Sequence, residues 1–360
     1  IAAHPTTDKG LSTIGFTLSA SDWHWMITLG NPAGTIANGE PDNGQWLVDE
    51  NYNAVYKFRS DEEREYFRWM NRMYNEGILD PEFATQTHED YIAKISSGRV
   101  LALFDTDWDY EDAERVLKSD GKLGKTYAPL PMTMNEDVKC PLLMDQGLVV
   151  GQGVAITTAC KYPVEAIKFI DYLCSDEGQV LTNWGIKDVN YFVDENGKRY
   201  RTPEEIEESS ANQNYKKETG VGRYNFPFPA YGTGMLDATG NPYTTASKEA
   251  VIAEYNEEQK AACEAWGVDL LLDIFPQKEE FEIPEFPPIW AYVMPAEFTD
   301  LNNKLDEVAW SSLISCVIGK PEAFDANYDA MIASLEATGM SRAEEILTEM
   351  VKDKVALVEE

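Results

Sequence analysis

The chain is 360 residues long, with 63 Asp and Glu against 30 Lys and Arg, a formal charge of −33. Its length sets about two domains, and 43% apolar with 26% charged residues is the composition of a folded globular protein. No run approaches the ~18 consecutive apolar residues of a membrane span. Ile1–Gly10 lacks the basic and apolar segments of a signal peptide. A polyphosphate meets repulsion here and no Lys/Arg cluster to displace its counterions, so nucleic acid and anionic lipid are poor partners. The same charge favours a monomer.

The first element is a strand over Thr13–Ala20, followed by the aromatic loop Ser21-Asp22-Trp23-His24-Trp25. Gln45–Val48 and Ala54–Phe58, around Asp49-Glu50-Asn51, read as a β-hairpin. Ser60 with Glu63 forms a capping box for a helix whose apolar face is Tyr66, Phe67, Met70, Met73 and Tyr74, ended by Gly77. Thr87 with Asp90 opens a shorter helix ending near Gly98. Val100–Phe104 has the profile of a strand buried on both faces. A helix over Tyr110–Leu117, a crossover strand at Tyr127–Pro131 and a strand over Leu148–Ile156 follow. The next helix starts at Pro163 with Val164, Ile167, Ile170 and Leu173 inward, and Tyr191–Tyr200 is a hairpin turning on Asn196-Gly197. Beyond it the chain reads as helical: from Pro203, over Ala246–Trp266, over Pro295–Ile318, from Phe324, and a last helix capped by Ser341 with Glu344. Strands with crossover helices followed by a helical half make an α/β protein.

Catalytic and metal signatures are few. The histidines are His4, His24 and His88, with no pair at helical ligand spacing, which argues against His-based zinc and Ser-His-Asp chemistry. Cys140, Cys160, Cys174, Cys263 and Cys316 form no CxxC. Cys160 and Cys174 flank a helix and stand roughly 21 Å apart at 1.5 Å per residue, beyond the ~7 Å a disulfide spans. No GxSxG, Walker, HExxH or GxGxxG pattern occurs, and no cofactor is implied.

The most informative stretch is Phe104-Asp-Thr-Asp-Trp-Asp-Tyr110, just past the carboxyl end of a strand, where open α/β sheets place their ligand crevice. Asp105, Asp107 and Asp109 alternate as in a calcium loop, but Tyr110 replaces the turn glycine and Val116 the closing Glu, so no metal is assigned. Carbohydrate fits better: a sugar's apolar C–H face stacks on an indole while its hydroxyls suit carboxylates. Trp108 among aspartates offers both, and Trp23 and Trp25 follow the first strand. Core packing is the other reading of these tryptophans, and a glycosidase carboxylate pair the other reading of the aspartates. The aromatic, Pro- and Gly-rich segments Asn225–Tyr243 and Phe275–Tyr292, the second containing Trp290, read as long functional loops.

Several motifs in order resemble the family 1 extracellular solute-binding proteins. They are Trp46-Leu-Val-Asp49 with Tyr56–Phe58, Tyr74-Asn-Glu-Gly-Ile-Leu-Asp-Pro-Glu-Phe83, Ile95-Ser-Ser-Gly-Arg-Val100, Ile156–Pro163 running on to Ile170–Gly178, and Asn183–Tyr191. Ile318–Asp325 and Ala337–Met340 resemble the family's closing helices. The resemblance implies a two-lobed, type II periplasmic-binding-protein-like clamshell, similar to maltodextrin-binding protein. It implies a non-enzymatic, sugar-binding component of an ABC importer: an extracellular, lipid-anchored protein, mostly of Gram-positive bacteria, that delivers an oligosaccharide to permease subunits. A peptide or other solute on the same fold is the alternative ligand. Family members are longer and begin with a signal peptide, a lipidated Cys and a βαβ segment without counterpart here, so a truncated or proteolysed fragment is expected. On this comparison residues 1–128 are the α/β part of the second lobe, 129–190 the crossover and returning part of the first, and 191–360 the helical completion of the second. The family's ligand aromatic maps onto Trp108. Trp23 with Asp22 ranks next, then Asp107 and Asp109, and Trp25, Trp184, Tyr191 and Trp290 complete the expected ligand set.

Overall fold

In the computed structural model, which describes residues 1–41, 44–144, 153–225, 228–282 and 293–359, the apolar runs near positions 14 and 100 pair in parallel. β1 (Ile14–Thr17) sets Ile14 opposite Val100 and Thr17 opposite Leu103 of β4 (Val100–Leu103). Parallel strands need a crossover. It is built here from α1 (Asn31–Asn38), the antiparallel hairpin of β2 (Trp46–Val48) and β3 (Ala54–Tyr56), α2 (Asp61–Asn75) and α3 (His88–Ser96). On its other side β1 takes a bond from the 78–83 turn, Phe16 N to Ile78 O at 3.1 Å. Gly15 makes this approach possible, because a Cβ there would sit 2.6 Å from the Ile78 carbonyl oxygen. β4 is not buried on both faces as expected: Leu101 and Ala102 are exposed, since among the described residues β4 pairs with β1 alone.

The chain forms two compact units. Ile1–Ala113, Pro129–Val150 and Phe275–Glu360 make the first, and Glu114–Ala128 with Gly151–Ile274 make the second, so residues 191–360 divide between them at position 274. The first unit holds the larger core. The buried face of α2, with Tyr66, Phe67 and Met70, packs with Leu305, Ala309 and Leu313 of the helix Ala296–Ile318 and with Tyr328 and Leu335 of the helix Phe324–Thr338. Asn71 Nδ2 donates to the Cys316 and Gly319 carbonyls at 2.9 and 2.7 Å, satisfying acceptors that a helix end leaves unpaired. Ser60 caps α2 by accepting from Glu63 N at 3.2 Å, but the Glu63 side chain turns inward, where Asn38 Nδ2 donates to it at 2.9 Å. The last helix, Met340–Glu359, is not capped by Ser341, which donates to Glu336 at 2.7 Å, while Glu344 accepts from the Tyr56 amide at 3.0 Å.

In the second unit the helix Pro163–Cys174 buries Leu173 but leaves Val164 and Ile167 exposed, against the inward face expected of it. The helix expected over Ala246–Trp266 is two, Lys248–Glu254 and Glu257–Trp266. The break comes at Asn256, whose reciprocal bonds with Gln259, at 2.9 and 3.1 Å, start the second helix afresh. The hairpin Phe192–Val193 with Arg199–Tyr200 forms as expected, with Gly197 at φ 81° in its turn. Tyr127–Pro131 has no regular structure. Of the strand expected over Leu148–Ile156, positions 148–152 lie outside the described residues and the rest is irregular.

Burial raises the Glu63 carboxyl from its ordinary 4.5 to about 7, with its own backbone amide, Lys57 and Asn38 opposing the shift. The folded state therefore keeps a proton that the unfolded chain releases, and stability falls as pH rises from about 4.5 to about 7. Glu63→Gln has no such proton. Urea melts at several pH values should show the variant gaining on the wild type by the order of 2–3 kcal/mol across that window. Parallel curves would contradict the assignment.

Candidate functional site

β1 and β4 run the same way, so the segments leaving their carboxyl ends emerge side by side. Beyond β1 the chain stays buried through Leu18, Ser19 and Ala20. Three side chains hold it there: Gln86 Nε2 donates to Leu18 O at 2.7 Å, Thr28 Oγ1 to Ser19 O at 2.6 Å, and Trp310 Nε1 to Ala20 O at 2.7 Å. Beneath them, Asp80 Oδ2 accepts from Thr17 Oγ1 at 2.8 Å and from Lys94 Nζ at 2.7 Å, with both ionic side chains buried.

On this base Asp22 turns the chain at φ 49°, a left-handed conformation that Asp tolerates because its carboxylate bonds locally. That carboxylate accepts from the His24 amide at 3.0 Å and also pairs with His24 Nδ1. Slight desolvation raises its carboxyl, but the His24 bonds outweigh this and hold it below the ordinary value. Beyond β4, α4 (Asp107–Ser119) starts at once, so Trp108 and Asp109 sit in the first turn of a helix and not in a loop. Aspartates there suit the positive end of the helix. The helix also removes any calcium-loop geometry at 105–116.

Trp23 and Trp108 are 54% and 55% exposed, with ring centroids 6.3 Å apart and planes 10° from parallel. Trp23 stacks on His24 at 3.9 Å, and His24 on His88, the first residue of α3, at 4.2 Å. Asp109 is buried under this stack, with Oδ1 3.1 Å from His88 Nε2 and 3.6 Å from His24 Nε2. Among the described residues its Oδ2 meets no N–H or hydroxyl donor, and the Asp109 carboxylate shares a side-chain hydrogen bond with the Asp105 carboxyl. Asp105 accepts from Tyr91 OH at 2.7 Å. Burial pushes its carboxyl well above the usual carboxylate range, and the Asp109 charge adds to the rise.

Of the residues singled out from the sequence, the fold gathers Trp108, Trp23, Asp22, Asp107 and Asp109 at one edge. Asp107 is exposed and accepts from the Trp108 amide at 2.9 Å, while Asp109 points inward. Trp25 is a correction: it is 4% exposed and packs in the core with Phe58, because the chain from residue 24 on is already helical and turns this side chain inward. Trp184 is likewise buried, its Nε1 donating to Pro242 O at 3.1 Å and its ring edge-on to Tyr191; both pack within the second unit. Trp290 lies outside the described residues. His24 and His88, which spacing along the chain sets aside as a metal-ligand pair, lie on different elements that the fold brings together.

Residues 7–185 match the family model of the bacterial extracellular solute-binding proteins. Alginate-binding protein AlgQ2 is similar in structure, with 15% identity, 85% of this chain and 57% of that one covered, and a TM-score of 0.54. So is the S. pneumoniae ABC-transporter substrate-binding protein FusA, an EF-hand mutant in complex with fructo-nystose, with 13% identity, 96% and 64% covered, and a TM-score of 0.57. A solute-binding protein from Bifidobacterium longum infantis, described as HMO-binding and ABC-transporter-associated, gives 14%, 94% and 64%, and 0.52. A curated relative from Niallia circulans, an uncharacterised protein in the butB 5′ region, is 28% identical over 107 residues, 30% of this chain and 41% of its own. The chain thus spans less than two thirds of each of these relatives. The fold is that of the periplasmic-binding-protein-like solute-binding proteins. Over residues 7–185, just under half of its length, the chain matches the bacterial extracellular solute-binding proteins.

The exposure of Trp108 separates surface from core roles. Trp108→Ala should leave stability within about 0.5 kcal/mol, whereas Trp25→Ala should cost about 3–5 kcal/mol. Urea denaturation of the two variants checks this; a comparable loss in both would place Trp108 in the packing.

Proposed function

We propose that the protein captures a neutral oligosaccharide on the Trp23–Trp108 face and delivers it to the permease subunits of an ABC importer. The observation that carries this is the near-parallel, half-exposed indole pair. Two large aromatic faces left in solvent, on a base pinned by buried hydrogen bonds, are a stacking surface for sugar rings. Asp22 and Asp107 at its rim supply acceptors for hydroxyls. Their charge, with −33 over the whole chain, disfavours an anionic glycan. Similarity to proteins described as complexed with fructo-nystose or as HMO-binding supports the ligand class. The family resemblance supports work as a monomeric, lipid-anchored protein outside the cell.

Calorimetry with a panel of neutral oligosaccharides, and with oligopeptides alongside, tests the proposal. At least one glycan should bind without turnover, and Trp108→Ala should weaken it by about 1–3 kcal/mol, roughly 5- to 150-fold. Heat from peptides alone, or an affinity indifferent to Trp108→Ala, would overturn it.

A further inference from the structure

His24, His88 and Asp109 lie beneath the exposed indole pair, with His24 against Trp23, and the fold brings them together from three separate elements. One donor atom of each lies within 4.8 Å of the other two. Asp109 Oδ1 stands 3.1 Å from His88 Nε2 and 3.6 Å from His24 Nε2. Ligand atoms about 2.0–2.1 Å from a tetrahedral zinc ion stand roughly 3.3 Å from one another, so two of the three separations already match.

Two further observations point to a cation. The Asp109 side chain is only 5% exposed, and among the described residues its Oδ2 meets no N–H or hydroxyl donor, while His88 Nε2 faces the Asp109 carboxylate; the Asp105 carboxyl is the other neighbour of Asp109. His24 Nδ1 is paired with the Asp22 carboxylate, which turns the other ring nitrogen, Nε2, toward Asp109. A carboxylate behind a histidine in this way fixes the tautomer and raises the basicity of the ligating nitrogen. Two imidazoles and one carboxylate select zinc and its first-row neighbours over calcium or magnesium, which take oxygen ligands.

We propose that His24 Nε2, His88 Nε2 and Asp109 bind one divalent transition-metal ion of the zinc class, with Asp22 as the residue positioning His24. Three protein ligands leave a coordination position for water or a ligand oxygen. All four residues belong to the first compact unit, and the inference does not depend on the oligosaccharide reading.

The test is titration of the chelator-treated 360-residue chain with Zn²⁺ by calorimetry, and with Co²⁺ by visible absorption, without any sugar. One ion per chain is expected, with Co²⁺ bands of low coordination number and no competition from Ca²⁺. His88→Ala and Asp22→Asn, both at partly exposed side chains and checked for folding by circular dichroism, should each weaken Zn²⁺ by at least about tenfold. His4→Ala should bind as the wild type does. Absence of saturable binding to the wild type, or binding that His88→Ala and Asp22→Asn leave within twofold, would overturn the site.

Discussion

Asp80 and Lys94 meet at 2.7 Å with side chains only 2% and 7% exposed, and the placement of the candidate site depends on this buried ion pair. Two charges inside a core are tolerated only when their remaining hydrogen-bonding capacity is met. Here Thr17 donates to Asp80 from the end of β1, and Glu82 lies 2.7 Å from Lys94. The pair thereby fastens the 78–83 turn to α3 and to the strand from which the Trp23 loop departs. Losing one partner would strand the other charge, a change worth about 3–5 kcal/mol. Gln86, bonded to both Thr17 and Leu18 O, extends the same network toward the site.

From that base the site follows as geometry. A parallel β1–β4 pair sends both following segments out at one edge, and the chemistry of each is set within a few residues. Asp22 bends its segment by bonding His24, and the immediate start of α4 orients Asp107 and Asp109 oppositely, one to solvent and one inward. Apolar faces meant for a ligand must stay exposed while their supports are buried. Trp23 and Trp108 meet this condition, and Trp25 and Trp184 do not.

Much of this was legible in the sequence. The 3.6-residue apolar period gave α2 and the helices from 296 and 324, capping pairs gave α3, and a Trp among aspartates after a strand pointed to Trp108. What failed had nonlocal causes. The exposure of Leu101 depends on which strands pair with β4, and the burial of Trp25 on where a helix begins after a short loop. The division of the 246–266 helix turns on one capping residue, Asn256, against an otherwise helical pattern. The stacking of His24 on His88 was invisible because the two are brought together by the crossover between β1 and β4, and spacing along the chain carries no sign of it.

The central claim is that the exposed indole pair is the face that meets the ligand. It is tested most directly by indole NMR on protein carrying a nitrogen or fluorine label in its nine tryptophans, with assignments from single Trp→Phe variants. Saturation with a bound neutral oligosaccharide should shift the Trp23 and Trp108 resonances while leaving those of the buried Trp25 and Trp46 in place. Unmoved Trp23 and Trp108 signals at saturation would contradict the account.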